Sequence, residues 1–217
     1  MVTDASTLLD AWNQLLPNQA ELGESLIRRY SEPQRRYHTV DHLAFVLDRI
    51  NEFAVSGNDL FLVRLAAWFH DAVYAIPARE LTNEEASARL AVRSLIDAGM
   101  DQEDINEVTR MVRLTATHMP PPGDKNGSLL CDADLAILGS SPEDYRRYSE
   151  AIRAEYAHVP AEEFAQARLN VLMPLLQTDI FRTTKGRRLT AAAHANLTEE
   201  CGSLADQLGI DLEGFGS

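Results

Sequence analysis

The amino-acid sequence predicts an all-α protein, and three observations support this. Apolar residues recur at intervals of three and four positions rather than two, which is the spacing of a helix with one buried face. The chain is rich in Ala, Leu, Glu and Arg, which favour helices. Start and stop signals also occur at suitable intervals, such as Pro142 in a first turn and Gly57, Gly99 and Gly139 at expected helix ends.

Taken in order along the chain, these signals predict ten helices and two irregular stretches. Thr82 begins a helix because it can cap the first turn and acidic residues follow it. The loop Met119–Gly127 contains three consecutive prolines and cannot be helical. Asp179–Arg188 is the other irregular stretch. The predicted helices cover 4–16, 18–31, 39–55, 58–75, 82–98, 101–118, 128–139, 142–157, 161–176 and 188–208.

The length and the composition limit the class of protein to which this chain can belong. The 217 residues predict a single domain, with a motif-bearing core at about 32–140 and a helical extension at about 141–217. The hydrophobic fraction of 45% and the charged fraction of 24% are ordinary for a soluble globular protein. The sequence shows neither a bilayer-spanning apolar run nor a basic secretory start, so we expect a cytoplasmic protein. Cys131 and Cys201 are expected to be free thiols.

The excess of acidic over basic residues limits which molecules this protein can bind. Twenty basic against 33 acidic residues leave a formal charge of −13. Such a surface repels polyanions, so we expect neither a nucleic-acid polymer nor a membrane as partner. A small phosphorylated substrate in a local pocket remains compatible with this charge. The sequence does not predict the oligomeric state.

The pair His70-Asp71 lies inside the apolar run Leu60–Ala75, which predicts a helix buried on nearly all sides. A buried carboxylate or imidazole needs a partner, and a divalent cation satisfies both at once. His42 and His118 lie at the edges of two other apolar stripes, and CDADL opens a further helix. Two imidazoles and two carboxylates from separate helices form a mixed nitrogen and oxygen site in which water can complete the coordination. We therefore predict one divalent metal ion.

The surrounding motifs resemble the HD-domain superfamily of metal-dependent phosphohydrolases. YHTVDHL, WFHDAVY, TNEEASA, DADLAILGSSPEDY and AHANL are similar to predicted bacterial HD-type phosphohydrolases of unassigned substrate. The resemblance runs from about Glu32 to about Glu200. It implies an all-helical HD-type bundle, a divalent metal, and hydrolysis of a small phosphate ester or a nucleotide.

The resemblance assigns His42, His70 and Asp71 as metal ligands and leaves the fourth open between Asp132 and Asp134. If residues 129–138 are helical, Asp134 falls inside the inward-facing arc and Asp132 outside it, so we favour Asp134.

Other catalytic and substrate-binding roles are less closely defined by the motifs. Some HD nucleotidases have a catalytic Glu three residues after the HD aspartate, a position that is Tyr74 here. Glu84 and Glu85 are the nearest substitutes, and Asp71 is a further candidate base.

His118 is predicted to face the phosphoryl group. Arg35, Arg36 and His38 are predicted to bind the substrate, because arginine suits bidentate phosphate contact. Trp12, Trp68, Phe69, Met111 and Met119 are predicted core residues.

A metal-dependent phosphohydrolase that acts through metal-activated water is the leading hypothesis. A catalytically silent binding or regulatory domain with the same fold is one alternative. A di-iron oxygenase is another, and it is less favoured because His118 is the only histidine between the HD pair and the final aspartates.

Overall fold

The structure is a computed structural model that describes residues 5–78 and 80–211, and these residues form helices and loops without strands. The all-α prediction is confirmed. The predicted first helix included Asp4, which lies outside the described residues. The α-helices are α1 (Ala5–Leu15), α2 (Ala20–Tyr30), α3 (Val40–Phe53), α4 (Leu60–Phe69), α5 (Asn83–Asp97), α6 (Gln102–Leu114), α7 (Lys125–Asp134), α8 (Pro142–Glu155), α9 (Ala161–Leu176) and α10 (Thr190–Leu208), with 3-10 turns at Leu135–Gly139 and Gly186–Leu189.

The chain forms two compact units, Met1–Asp134 and Leu135–Ser217. The division expected from the sequence, a single domain with a core at 32–140, stays a prediction. None of the helices in the described ranges combines the length and the apolarity that crossing a bilayer requires.

In the first unit, α4 is the central element and packs against α1, α3, α5, α6 and α7. Seven of its ten residues are buried, as its apolar sequence predicts. The ring of Trp12 meets the edge of Trp68 with a centroid separation of 5.1 Å. Trp12, Trp68 and Met111 are fully or almost fully buried, which confirms their predicted core positions. The prediction is wrong for Met119, which is 65% exposed because it lies in the proline loop rather than on a helix.

Several helix ends differ from the prediction, among them that of the predicted helix 128–139, which ends at Asp134 and is followed by a 3-10 turn. At three other ends a side chain or a backbone turn explains the difference. The predicted helix 58–75 ends at Phe69, because side chains from other segments bind the backbone of the following residues. The predicted helix 101–118 ends at Leu114, and His118 adopts a left-handed backbone conformation with φ +52°. Helix α7 begins at Lys125 rather than 128 because the Asp124 carboxylate accepts a hydrogen bond from the Gly127 amide at 2.8 Å.

The second unit contains α8, α9 and α10 and has its own apolar core, which includes Leu169, Phe181 and Leu197. A buried ion pair lies beside this core. Arg168 donates to Glu200 at 2.9 Å and to the Tyr148 hydroxyl at 3.0 Å. Each of these polar groups therefore has a partner, which a buried charge requires. Cys131 and Cys201 are buried free thiols, as predicted.

Candidate metal centre

The candidate metal centre lies where α3, α4 and α7 meet, and each of these helices packs against the other two. His42 is the third residue of α3, His70 and Asp71 directly follow α4, and Asp134 is the last residue of α7. His42 and His70 are only 4% and 1% exposed. The ends of two helices and the start of a third thus bring together four residues from three separate parts of the sequence.

The ligand atoms of these residues converge. Nε2 of His42 and Nε2 of His70 are 3.1 Å apart. Asp71 Oδ2 is 3.5 Å from the His42 nitrogen and 3.1 Å from the His70 nitrogen. Asp134 Oδ1 is 3.3 Å from the His42 nitrogen and 3.6 Å from the His70 nitrogen.

These separations fit ligands that share one ion. Ligand atoms about 2.1 Å from a common ion stand roughly 3.0 Å apart at octahedral angles and roughly 3.4 Å apart at tetrahedral angles. The five distances, 3.1 to 3.6 Å, lie close to these two values. His42, His70 and Asp71 form a group in which all ligand atoms lie within 4.8 Å of one another, and this group does not include Asp134. These three residues could therefore hold one divalent ion, and Asp134, which lies against both histidines, is a candidate fourth ligand.

The ring of His70 is oriented for this role by the backbone of its own helix. Its Nδ1 lies 2.7 Å from the Ala67 carbonyl oxygen, which can only accept a hydrogen bond. Nδ1 must therefore carry the proton, and in the neutral ring the lone pair is left on Nε2, which points into the site. A hydrogen bond of this kind on the second ring nitrogen is usual for histidines that bind metals.

The electrostatics of the site favour positive charge beside the two carboxylates. Burial alone lowers the pKa of His42 and His70, but hydrogen bonds and charge attraction from Asp71 and Asp134 outweigh it and raise the pKa of both imidazoles. Burial raises the pKa of the two carboxyl groups, yet the nearby imidazoles hold it well below the usual range. The carboxylates are therefore ionised near neutral pH, and the positive charge they attract can be protons or a metal ion.

Two further imidazoles flank the four candidate ligands. His118 Nε2 lies 2.8 Å from Oδ2 of Asp134, so the two oxygens of this carboxylate face different imidazoles. His38 Nε2 is 4.0 Å from Oδ2 of Asp71, and its ring stacks on Tyr74 with a centroid separation of 4.1 Å. Both side chains are partly exposed, at 22% and 17%, whereas those of His42 and His70 are almost fully buried. The solvent-facing side of the centre therefore carries His38 and His118.

The distances favour Asp134 over Asp132 as the fourth ligand, because the carboxylate beside His42 and His70 belongs to Asp134. Asp132 is fully buried two positions earlier on α7. Two positions on a helix are about 200° apart, so the two side chains leave the helix on opposite sides. The choice still depends on the metal-binding hypothesis and remains a prediction.

The predicted base Glu85 is engaged elsewhere. Its carboxylate accepts hydrogen bonds from Arg113 at 2.7 Å and from Arg89 at 2.8 Å. These two guanidinium groups lower the pKa of Glu85 to about 2. Such a weak base does not suit proton abstraction near neutral pH, so the structure does not support the catalytic role predicted for Glu85. Glu84 lies beside it in the first turn of α5 and is half-buried.

The two arginines predicted to bind phosphate also have partners within the protein. Arg35 is 3% exposed, and its guanidinium donates to the carbonyl oxygens of His38, Asp71 and Ala72. It is therefore not free to clamp a phosphate, and the substrate-binding prediction is not supported for this residue. Arg36 is exposed and donates to the carbonyl oxygens of Pro33 and of Arg35.

A cleft of about 1020 Å³ has a wall that includes Val73, Tyr74 and Ala75, which follow Asp71 closely in sequence, although none of the candidate ligands lines it. Its wall is held in place by α5. The Ser87 hydroxyl and the Asn83 amide each form two hydrogen bonds with this segment, at 3.0 to 3.3 Å.

Sequence reasoning did not anticipate two of the residues around the centre. Tyr74 drew attention only because it replaces a catalytic Glu, and Tyr30 was not singled out at all. The Tyr30 hydroxyl accepts a hydrogen bond from the Asp71 amide at 3.3 Å. No metal-ligand spacing marks a buried tyrosine of this kind, so only the tertiary structure reveals its contact.

We compared the chain with protein-family models, with curated proteins and with solved structures, and none of the three comparisons gave a match. The HD-type resemblance of the sequence motifs therefore stays a prediction.

Proposed function

We propose that this chain is a divalent-metal-dependent phosphohydrolase that acts on a small phosphate ester or a nucleotide. The proposal depends on one observation, the convergence of His42, His70, Asp71 and Asp134 at spacings suited to one ion. The presence of two more imidazoles on the solvent-facing side supports it. A purely structural metal site would not need these partly exposed groups.

The residues suggest a division of roles. His42, His70, Asp71 and Asp134 would hold the cation, which when bound lowers the pKa of a water molecule and polarises a phosphoryl oxygen. His118 and His38 would face the phosphoryl group, where an imidazole N–H can donate a hydrogen bond to the charge that develops during hydrolysis. The Asp134 carboxylate lies 2.8 Å from Nε2 of His118 and orients this ring.

The substrate is proposed to be small. The net charge of −13 repels polyanions such as RNA and DNA. The cleft beside Tyr74 has a volume of about 1020 Å³, enough for the organic part of a phosphate ester or a nucleotide. Arg29 supplies a guanidinium group to its lining, and the amides of Asn83 and Gln34 there already bind Ala75 and Glu32.

The test combines metal analysis with a phosphate-release screen. Purified protein incubated with Mn²⁺ or Co²⁺ and then desalted should retain about one ion per chain, since the four candidate ligands are spaced for a single ion. The loaded protein should release phosphate from at least one member of a panel of nucleotides and phosphate esters. Asp134→Asn should lose both properties, and Asp132→Asn, the matched control on the same helix, should retain the metal.

Three results would count against the proposal or part of it. A wild-type protein that binds no divalent ion would exclude the metal centre. Metal binding without phosphate release from any compound of the panel would favour a binding or regulatory domain. Loss of metal in Asp132→Asn alone would show that the wrong carboxylate was chosen.

A further inference from the structure

Arg35 is a buried arginine beside the candidate metal centre. Its side chain has no exposed surface, although it comes from the loop between α2 and α3. The guanidinium carbon lies 5.2 Å from the ring centre of Tyr30 and 5.5 Å from that of Tyr74. A buried guanidinium is tolerated only when hydrogen bonds satisfy its N–H groups, so its partners show what it holds in place.

Those partners are mainly backbone carbonyls of the candidate centre. Nη1 donates to the carbonyl oxygen of Asp71 at 2.8 Å and to that of His38 at 2.9 Å. Nη2 donates to the carbonyl oxygen of Ala72 at 3.4 Å, and Nε donates to the Glu32 carboxylate at 3.3 Å. One rigid planar group thus connects the backbone of a candidate ligand to the backbone of a flanking histidine.

The position of Asp71 explains why such a connection is needed. Asp71 follows the end of α4, where backbone carbonyls have no partner within the helix and where a positive charge is favourable. The helix therefore does not hold this residue. Its amide donates to the Tyr30 hydroxyl, and its carbonyl accepts from Arg35.

We infer that Arg35 is a positioning residue of the metal centre, which sets the place of the Asp71 carboxylate and of His38 by binding their backbone carbonyls. The inference rests on the proposed metal binding and goes beyond it, because Arg35 is neither a ligand nor in contact with a substrate. Lysine cannot replace it, since a single ammonium group does not reproduce the planar fork of donors. A substitution of Arg35 removes this planar set of donors. Every candidate ligand side chain is then still present, but the segment that carries Asp71 can move.

The test measures binding of Co²⁺ to metal-free wild-type protein, Arg35→Lys and Arg168→Lys, together with the visible absorption of the bound ion. Arg168 is a matched control, because it is also a buried arginine, but it is paired with Glu200 and Tyr148 of the second unit. We expect Arg35→Lys to bind Co²⁺ about 10- to 100-fold more weakly than wild type, with a changed absorption spectrum. Arg168→Lys should bind Co²⁺ with wild-type affinity and spectrum, even where its thermal stability is lower.

The outcomes separate this inference from the proposed function. Failure of the wild-type protein to bind Co²⁺ overturns the proposed metal centre itself. Normal binding by wild type and by Arg35→Lys, with the same spectrum, overturns only the positioning role. If Arg35→Lys does not fold, Glu32→Ala replaces it, because it removes the acceptor of the Nε–H at a partly exposed position. Glu32→Ala should bind Co²⁺ about 10-fold more weakly, and unchanged binding overturns the inference.

Discussion

At the scale of single residues, the carboxylate of Asp134 connects the buried and the exposed parts of the candidate centre. Oδ1 faces His42 and His70, and Oδ2 faces His118. Because His118 holds Oδ2, the Asp134 carboxylate cannot rotate freely, and Oδ1 stays directed at His42 and His70. His118 therefore has two proposed effects, on the orientation of Asp134 and on the charge of the substrate.

We predict that His118→Asn binds the metal about 10- to 100-fold more weakly and, with the metal in excess, turns over substrate about 100-fold or more slowly, the scale expected when a positioned proton donor is lost. Asparagine is the suitable substitution because His118 has φ +52°, a conformation that asparagine tolerates better than most residues. Metal content and the rate of phosphate release on a verified substrate check the prediction. His158→Asn, at an exposed position on the second unit, is the control. Full turnover in His118→Asn would remove His118 from the proposed mechanism.

The sequence indicated the candidate ligands more readily than their surroundings. The motif resemblance pointed to His42, His70 and Asp71, and helical periodicity favoured Asp134 over Asp132. The buried contacts of Arg35 could not be predicted, since a sequence cannot show whether an arginine next to a histidine faces solvent or backbone carbonyls. Glu85 was chosen for its place in a motif, and its two arginine partners come from its own helix and from α6.

At the scale of secondary structure, the type of each element was predictable and several of its ends were not. The apolar pattern of Leu60–Ala75 favours a helix throughout, yet the helix stops at Phe69. The bonds that hold the next residues come from Arg35, Asn83 and Ser87, which lie far away in sequence. Local patterns carry no information about such partners. This early stop also leaves Asp71 outside the helix and dependent on its neighbours.

The packing of α1 on α2 leads to a prediction about stability. A Cβ atom added to Gly23 would lie 2.2 Å from the Trp12 ring, which is itself fully buried. Gly23→Ala should therefore lower the free energy of unfolding by about 1–3 kcal/mol, the usual cost of overpacking. Gly202→Ala in α10 is the matched control, because nothing lies within 4 Å of its added Cβ. This control should raise the free energy of unfolding by about 0.5–1 kcal/mol.

Urea unfolding of both glycine variants checks this prediction. Equal stabilisation of both proteins would show that α2 can move away from Trp12 at little cost.

At the scale of the whole molecule, the candidate centre links stability to pH. The pKa values of His42 and His70 are raised above 6.5 in the folded protein, so their pairing with Asp71 and Asp134 stabilises the metal-free protein fully below that pH. This contribution is lost as the pH rises through the raised pKa values. The carboxyl groups, whose pKa values are lowered from 3.8, contribute above that pH and lose their contribution as the pH falls.

We therefore predict opposite pH trends for the metal-free and the metal-loaded protein. Between about pH 6.5 and pH 9, the Tm of the metal-free protein should fall, because the imidazoles lose their protons while the two carboxylates stay ionised. Over the same range, the gain in Tm produced by Mn²⁺ should grow, because a metal ion competes with protons for the same imidazole nitrogens. Thermal unfolding with and without Mn²⁺ measures both trends, and Asp134→Asn, which lacks a candidate ligand, should show a smaller gain at every pH. A gain in Tm that does not change with pH would mean that Mn²⁺ binds away from His42 and His70, and that the pairing of imidazoles with carboxylates serves the fold alone.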